Sequence, residues 1–152
     1  MNIRPAVKED CPALLELIRG LALFERDPEA VTVTLEEMEQ AGFGPHPIWW
    51  AYVAEEDGNV VAFALYYLRY STWKGTRLYL EDIYVDEAFR GRGIGHLLME
   101  QLIAVAKEKG YSGMMWQVLD WNESAIRFYE RYGATFDGEW LNVHLELGNS
   151  EL

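Results

Sequence analysis

Two spacings of apolar residues alternate along this chain, and each change of spacing marks a new element. Residues 2–5 are short and extended. Leu14, Leu17, Ile18 and Leu21 then repeat at helical spacing, behind Asp10 as a cap and with Pro12 in the first turn. Thr34 and Glu37 have the spacing of a capping box and predict a second, short helix. A loop rich in Gly and Pro follows at 42–47. Residues 48–55 and 60–70 are β-branched and aromatic runs joined at Asp57-Gly58, which predicts a hairpin. Residues 78–85 predict another strand, antiparallel to the one before it. Leu97, Leu98, Gln101, Leu102 and Val105 mark one face of a helix over 94–108, stopped by Gly110. Residues 111–119 are strand-like. Asn122 can cap a helix through Tyr132, ended by Gly133, and residues 140–147 read as a closing strand, with a shorter one near Thr135.

The expected order is β-α-α-β-β-β-α-β-α-β-β. That is an α/β (α+β) chain with a central mixed β-sheet flanked by helices. No repeat, low-complexity tract or linker interrupts it, so residues 1–152 are expected to form a single domain.

Half of the residues are hydrophobic, which excludes a disordered chain, and no apolar run is long enough to span a bilayer. The start lacks the apolar core of a signal peptide, and a single cysteine, Cys11, cannot form an internal disulfide. A cytoplasmic protein is expected. The formal net charge of −12 argues against a nucleic-acid partner and suits a cationic small molecule, although acidic surfaces also serve solubility alone. Against that background, residues 88–99 contain no acid and hold Arg90 and Arg92.

Those arginines lie in a glycine loop, Arg90-Gly91-Arg92-Gly93-Ile94-Gly95, between a predicted strand and a predicted helix. Glycines let backbone N–H groups approach an anion, and the helix N-terminus adds unpaired donors. The combination suits a pyrophosphate. A dinucleotide fingerprint fails, because the sixth position from Gly91 or Gly93 is His96 or Leu98. The Gly-Lys-Ser/Thr of a phosphate-binding P-loop is absent as well. No spacing of His, Cys and Asp around His46 or His96 suggests a metal, and none is expected.

Arg90-x-x-Gly93-x-Gly95 resembles the (Arg/Gln)-x-x-Gly-x-(Gly/Ala) signature of the GNAT acetyltransferases. The run from Trp121 and Asn122 through Ala125, Phe128, Tyr129 and Gly133 to Ala134 is similar to that family's second signature, in the same order and spacing. Ile3-Arg4-Pro5-Ala6, the loop from Gly42 to Pro47, Ala64-Leu65-Tyr66-Tyr67 and Leu78-Tyr79-Leu80-Glu81-Asp82 resemble the diamine (spermidine/spermine) N-acetyltransferase subfamily. The similarity covers nearly the whole chain, with a shorter connection at residues 56–59 and a weaker match after Ala134.

The resemblance implies acetyl-CoA as co-substrate and direct transfer to a primary amine of a small cationic acceptor such as a diamine or polyamine. It implies pyrophosphate contacts from Arg90, Gly91, Arg92, Gly93, Ile94 and Gly95. Asn122 would contact the pantetheine arm, and backbone N–H groups of Ile83, Tyr84 and Val85 would polarise the acetyl carbonyl. Tyr129 would lie near the sulfur as general acid. A homodimer is implied too. Thialysine- or lysine-like amino acids and protein amines stay open as acceptors, and so does a non-catalytic acyl-CoA sensor.

Within an otherwise apolar strand, Glu81 and Asp82 are the conspicuous carboxylates. Burying either is costly unless it is paired or working. Neighbours on a strand point to opposite faces, so strict alternation separates the two. Glu81 is the candidate to remove the amine's proton, directly or through water, with an ion pair to an arginine as the alternative. Glu25 and Asp27, together with Asp82 and Trp140, are candidates for an acidic channel for the cation, to which Trp73 and Tyr79 can add cation–π attraction.

Overall fold

The computed structural model describes residues 1–148. The chain falls into two compact units, Met1–Gln117 and Val118–Leu152. The first unit runs β1 (Asn2–Pro5), α1 (Cys11–Phe24), α2 (Leu35–Phe43), β2 (Trp50–Glu56), β3 (Asn59–Ser71), β4 (Gly75–Val85), α3 (Ile94–Lys109) and β5 (Met114–Trp116). The second holds α4 (Glu123–Glu130).

The five strands form one sheet in the order β1-β2-β3-β4-β5. The first three pairings are antiparallel and the last, β4 with β5, is parallel. The mixed sheet follows from the connections. Asp57 and Gly58 both adopt positive φ, 52° and 79°, and join Glu56 to Asn59 in a two-residue turn whose twist suits antiparallel strands. Parallel strands need a long crossover, and α3 supplies it.

The two faces of the sheet differ in side-chain size. On one, Val53, Phe63 and Leu65 pack against Cys11, Leu14, Leu15 and Leu17 of α1 and Met38 of α2. Alternation puts Ala54, Ala62 and Ala64 on the other face, where small side chains let α3 approach with its buried Leu98, Met99 and Leu102.

The helix signals are confirmed in place, with one exchange of partners. Thr34 Oγ1 accepts the Glu37 N–H at 3.1 Å and starts α2. Gly110, at φ 71°, stops α3. Asp10 does stand at the start of α1, but its carboxylate does not cap that helix. It accepts Arg4 through both oxygens, at 2.7 and 2.9 Å, and the Val7 N–H at 2.8 Å. Arg4 also reaches Glu55 at 2.6 Å, so one guanidinium ties β1 to β2 and to the start of α1. That bidentate partner holds the Asp10 carboxyl below the usual carboxylate range. Its contribution to stability is present above that range and is lost as pH falls through the lowered value.

β4 begins at Gly75, three residues before the expected start, and the larger differences lie toward the C-terminus. β5 is confined to Met114–Trp116, α4 ends at Glu130, and no strand follows α4 among the described residues. Leu141, Val143, Leu145 and Leu147 keep their period-two spacing but stand exposed. Alternation specifies a face for a strand; a ladder also needs a neighbouring edge, which sequence periodicity does not supply.

Candidate active site

The centre of β4 decides the geometry of the first unit. β3 and β4 pair in one register from Ser71↔Gly75 to Tyr66↔Leu80 and in another from Leu65↔Asp82 to Ala62↔Val85. The two registers are out of step by one residue, and the extra residue is Glu81. A bulge of this kind places two residues of one strand against one of its partner and breaks the alternation of faces.

Glu81 and Asp82 therefore share a face, contrary to the separation that strict alternation gives. Asp82 pairs with Leu65 and Tyr84 with Phe63, both on the α1 side of the sheet. On the near side of the bulge, Tyr79 pairs with Tyr67, which alternation from Leu65 puts on that same side. Glu81 is fixed there too: Tyr67 Oη donates to its Oε1 at 3.0 Å.

The bulge also turns the backbone. Leu78 N–H donates to Gly113 O, toward β5, while Asp86 N–H donates to Val61 O, toward β3. Backbone groups alternate sides along a strand, so the N–H groups of Ile83 and Val85 face away from β3 and that of Tyr84 faces it. The ladder with β5 ends at Leu80↔Trp116, before these groups are reached. β4 thus presents two N–H donors along the edge just beyond its two carboxylates.

α1 ends where this face begins. Arg26 takes positive φ, 66°, and the Asp27 N–H returns to Ala22 O at 2.9 Å. That closure leaves Glu25 half-buried at the helix C-terminus, a position that favours cations. Burial raises the Glu25 carboxyl. Asp82 is pushed up to about 7, first by burial and then by the charges of Glu81 and Glu25. Glu25, Glu81 and Asp82 form one acidic group, with Asp82 near neutrality. Asp27 is exposed in the following turn and is not among the charges that shift Asp82.

The glycine loop leads from β4 into α3. Gly91 and Gly93 take positive φ, 79° and 75°, and Gly93 is the N-cap of α3. A Cβ at either would meet no protein atom within 4 Å. The loop thus exposes backbone and the first N–H groups of a 16-residue helix, beginning with Ile94 and Gly95, on an unobstructed side.

Its two arginines have protein partners. Arg90 Nε donates to Val85 O at 3.1 Å, and its guanidinium lies 5.1 Å from the Phe24 ring centroid and 5.4 Å from that of Tyr84. Gly20 makes room for Tyr84, since a Cβ there would come within 3.1 Å of its hydroxyl oxygen. Arg92 pairs with Glu56 at 3.2 Å and covers Phe89.

In the second unit, Asn122 caps α4 through its amide oxygen, which accepts the Ala125 N–H at 3.3 Å. Tyr129 is buried, its ring edge-on to Phe128 at 5.5 Å. Trp140 is exposed. In the first unit, Trp73 does not join the acidic group. It is 87% exposed in the β3–β4 connection, and the six steps from Gly75 to Glu81 span about 20 Å.

Tyr67 and Phe24 escaped the sequence reading of the site. Tyr67 stands opposite Tyr79 because the β3–β4 connection has only three residues, which the expected strand bounds of 60–70 and 78–85 did not carry. Phe24 has no local signal at all; it matters through packing on Arg90.

The family model described as the acetyltransferase (GNAT) family matches residues 12–134. The chain belongs to the GNAT family. Among GNAT relatives, a thialysine N-epsilon-acetyltransferase of Bos taurus is 41% identical over 87% of this chain and 82% of its own. The mouse protein of that name is 39% identical over 95% and 92%. The human spermidine/spermine N(1)-acetyltransferase-like protein 1 is 36% identical over 88% of this chain, which spans only 20% of that protein. An aminoglycoside acetyltransferase from a soil metagenomic sample shares the fold, with a TM-score of 0.78 at 19% identity over 97% of this chain and 96% of its own. This GNAT chain is accordingly an N-acetyltransferase. Among its described residues no group of three or more His, Cys, Asp or Glu could hold a metal.

The acidic group makes a testable statement about this GNAT chain without any substrate. Carboxyl NMR is expected to show Asp82 titrating near pH 7, and Glu25→Gln to lower that midpoint by removing a nearby negative charge. A midpoint that does not move would place Glu25 outside the group.

Proposed function

We propose that this acetyltransferase carries the acetyl group of acetyl-CoA to the primary amine of a small cationic acceptor, by direct attack in a ternary complex. The observation that carries the reading is the bulge at Glu81. It sets two carboxylates on one face of β4 and two outward N–H groups next to them on its edge.

The acceptor arrives as an ammonium, drawn by Glu25, Glu81 and Asp82 and by the C-terminus of α1. It must lose a proton before its lone pair can attack. For the groups taken separately, moving that proton from an amine of pKa about 10.4 to a carboxylate near 7 costs ~4.6 kcal/mol. A carboxylate at the ordinary value of 3.8 would make the same step cost ~9 kcal/mol. We assign proton uptake to the Glu81–Asp82 pair, directly or through a water. Asp82 is the member raised toward the amine, and Glu81 is positioned by Tyr67.

The neutral amine then attacks the thioester carbon. A C–N bond forms, negative charge builds on the acetyl oxygen, and the Ile83 and Val85 N–H groups are the donors that face it. Tyr84 contributes its ring to Arg90, since its N–H points to β3. Collapse breaks the C–S bond and releases a thiolate, which Tyr129 protonates in this scheme. The pyrophosphate is assigned to the backbone of Gly91, Gly93, Ile94 and Gly95, with formal charge from Arg90 and Arg92. Arg90 also pins the end of β4 through Val85 O. Asn122 keeps its amide N–H groups for the pantetheine arm, since the cap uses its oxygen. A cytoplasmic homodimer belongs to the same proposal, on the family resemblance.

The test is CoA release across putrescine, spermidine, spermine, thialysine, lysine and a short peptide, with a no-acceptor control. The relatives' names divide between thialysine and spermidine/spermine, so both classes are in the panel. Turnover with a small amine supports the reading. Bound acetyl-CoA that stays intact with every acceptor would support a sensor instead. Tyr129→Phe is expected to lower kcat by about tenfold or more while acetyl-CoA binding holds; unchanged turnover would remove the acid role.

A further inference from the structure

We propose that Arg69 forms a carboxylate-binding subsite on the face that carries Glu81 and Asp82, so that the favoured acceptor is an amine bearing a carboxylate at its far end. This rests on the amine-acetyltransferase reading above and narrows its substrate class.

Arg69 lies two residues beyond Tyr67 on β3, hence on the same face as the acidic group. Its guanidinium lies over the Tyr79 ring, 5.9 Å from the centroid, and reaches across β4 to Met115 Sδ at 3.0 Å. Thioether sulfur is a weak acceptor and leaves most of the guanidinium's donors available. No ion pair to Arg69 occurs among the described residues, in a chain with 25 acidic and 13 basic ones. Directly opposite it on β4 stands Arg77, a second cation. The Arg77 guanidinium is turned to Ser112 Oγ at 3.4 Å and Met114 O at 3.3 Å, which leaves Arg69 as the cation over the Tyr79 ring.

Between the arginine and the carboxylates lies a platform, not a gap. Tyr67 and Tyr79 stack at 5.1 Å, the guanidinium covers one end, and Tyr67 Oη holds Glu81 at the other. Tyr79 and Glu81 are two residues apart on β4, about 7 Å, and Asp82 lies one residue further. An amino acid whose amine ends a four-atom side chain has six bonds of about 1.5 Å between that nitrogen and its carboxyl carbon, roughly 8 Å when extended. With the amine at Asp82 and Glu81, its carboxylate reaches the guanidinium. A diamine of equal length brings a second ammonium to that end, as the amino acid does, but lacks the carboxylate that the guanidinium would bind.

Matched pairs that differ only by the carboxylate decide the matter: lysine against cadaverine, and ornithine against putrescine. Binding by calorimetry and kcat/KM in the acetyl-CoA assay are both measured, on wild type, Arg69→Gln and Arg69→Lys. The expected result is a preference of about tenfold or more for the carboxylate-bearing member. That ratio should collapse toward one in Arg69→Gln and be partly restored in Arg69→Lys. A wild-type ratio near one, or a ratio that Arg69→Gln leaves unchanged, overturns the subsite. If the binding preference appears and depends on Arg69 while no acceptor is acetylated, the subsite stands and the transfer reading falls. If turnover occurs with diamines alone, the reverse holds.

Discussion

Asp82→Asn is expected to abolish most turnover and, at pH 8, to raise the melting temperature. Both effects come from one cause. Burial, Glu81 and Glu25 lift Asp82 from 3.8 to about 7, so the folded protein holds this proton more tightly than the unfolded chain does. For a raised carboxyl the sign is destabilising: stability falls as pH climbs from the ordinary carboxylate range through 7, and above that the penalty is complete. The shift corresponds to at most ~4 kcal/mol, less where solvent screens the group. Asparagine keeps the shape and drops the charge, so the gain should be roughly 5 °C or more at pH 8 and shrink toward pH 4. The same change removes the proton acceptor of our scheme, and kcat/KM should fall about a hundredfold or more. Melting curves at several pH values and initial rates check the two halves separately. A variant that turns over normally would move proton uptake elsewhere. One that melts like wild type at pH 8 would mean that Asp82 carries no strain.

Gly93→Val is expected to weaken acetyl-CoA binding about thirtyfold or more while the protein still folds. Gly93 is in the left-handed region at φ 75°, where a side chain costs roughly 1 to 2 kcal/mol. No protein atom lies within 4 Å of the Cβ it would gain, so the fold has room. The ligand does not: the added atoms would stand on the open side of the first turn of α3, where the helix N–H groups meet the pyrophosphate in our scheme. Calorimetry with CoA, beside a melting curve, separates the contributions. Normal CoA binding in a folded variant would take the pyrophosphate away from this loop.

Much of the fold was legible because its signals are local. Asp57-Gly58, Thr34 with Glu37, and Gly110 each act through the backbone of their own few residues, and each stands where the spacing put it. The order from β1 to α4 followed from those marks. The bulge was not legible. It is a register shift between β3 and β4, marked by no Gly or Pro at Glu81, and it exists only when both strands are present. Alternation within one strand therefore gave the wrong relation between Glu81 and Asp82. Residues 140–147 illustrate the same limit, since their pattern is clear and their partner edge is not written in it. The Arg90 side chain was legible as a cation but not as a brace, because Phe24 and Tyr84 come to it from separate elements.

Gly20 lies inside α1, where glycine weakens a helix by about 1 kcal/mol relative to alanine. It stands there because Tyr84 needs the space, and the Tyr84 ring lies under Arg90. Selection for heat resistance favours replacing such glycines. In this chain the first methyl group added there would come to 3.1 Å from the Tyr84 hydroxyl oxygen, on the ring beneath the arginine that holds the end of β4. Whether Gly20→Ala gains or loses stability therefore turns on whether the Tyr84 hydroxyl can shift by a few tenths of an ångström.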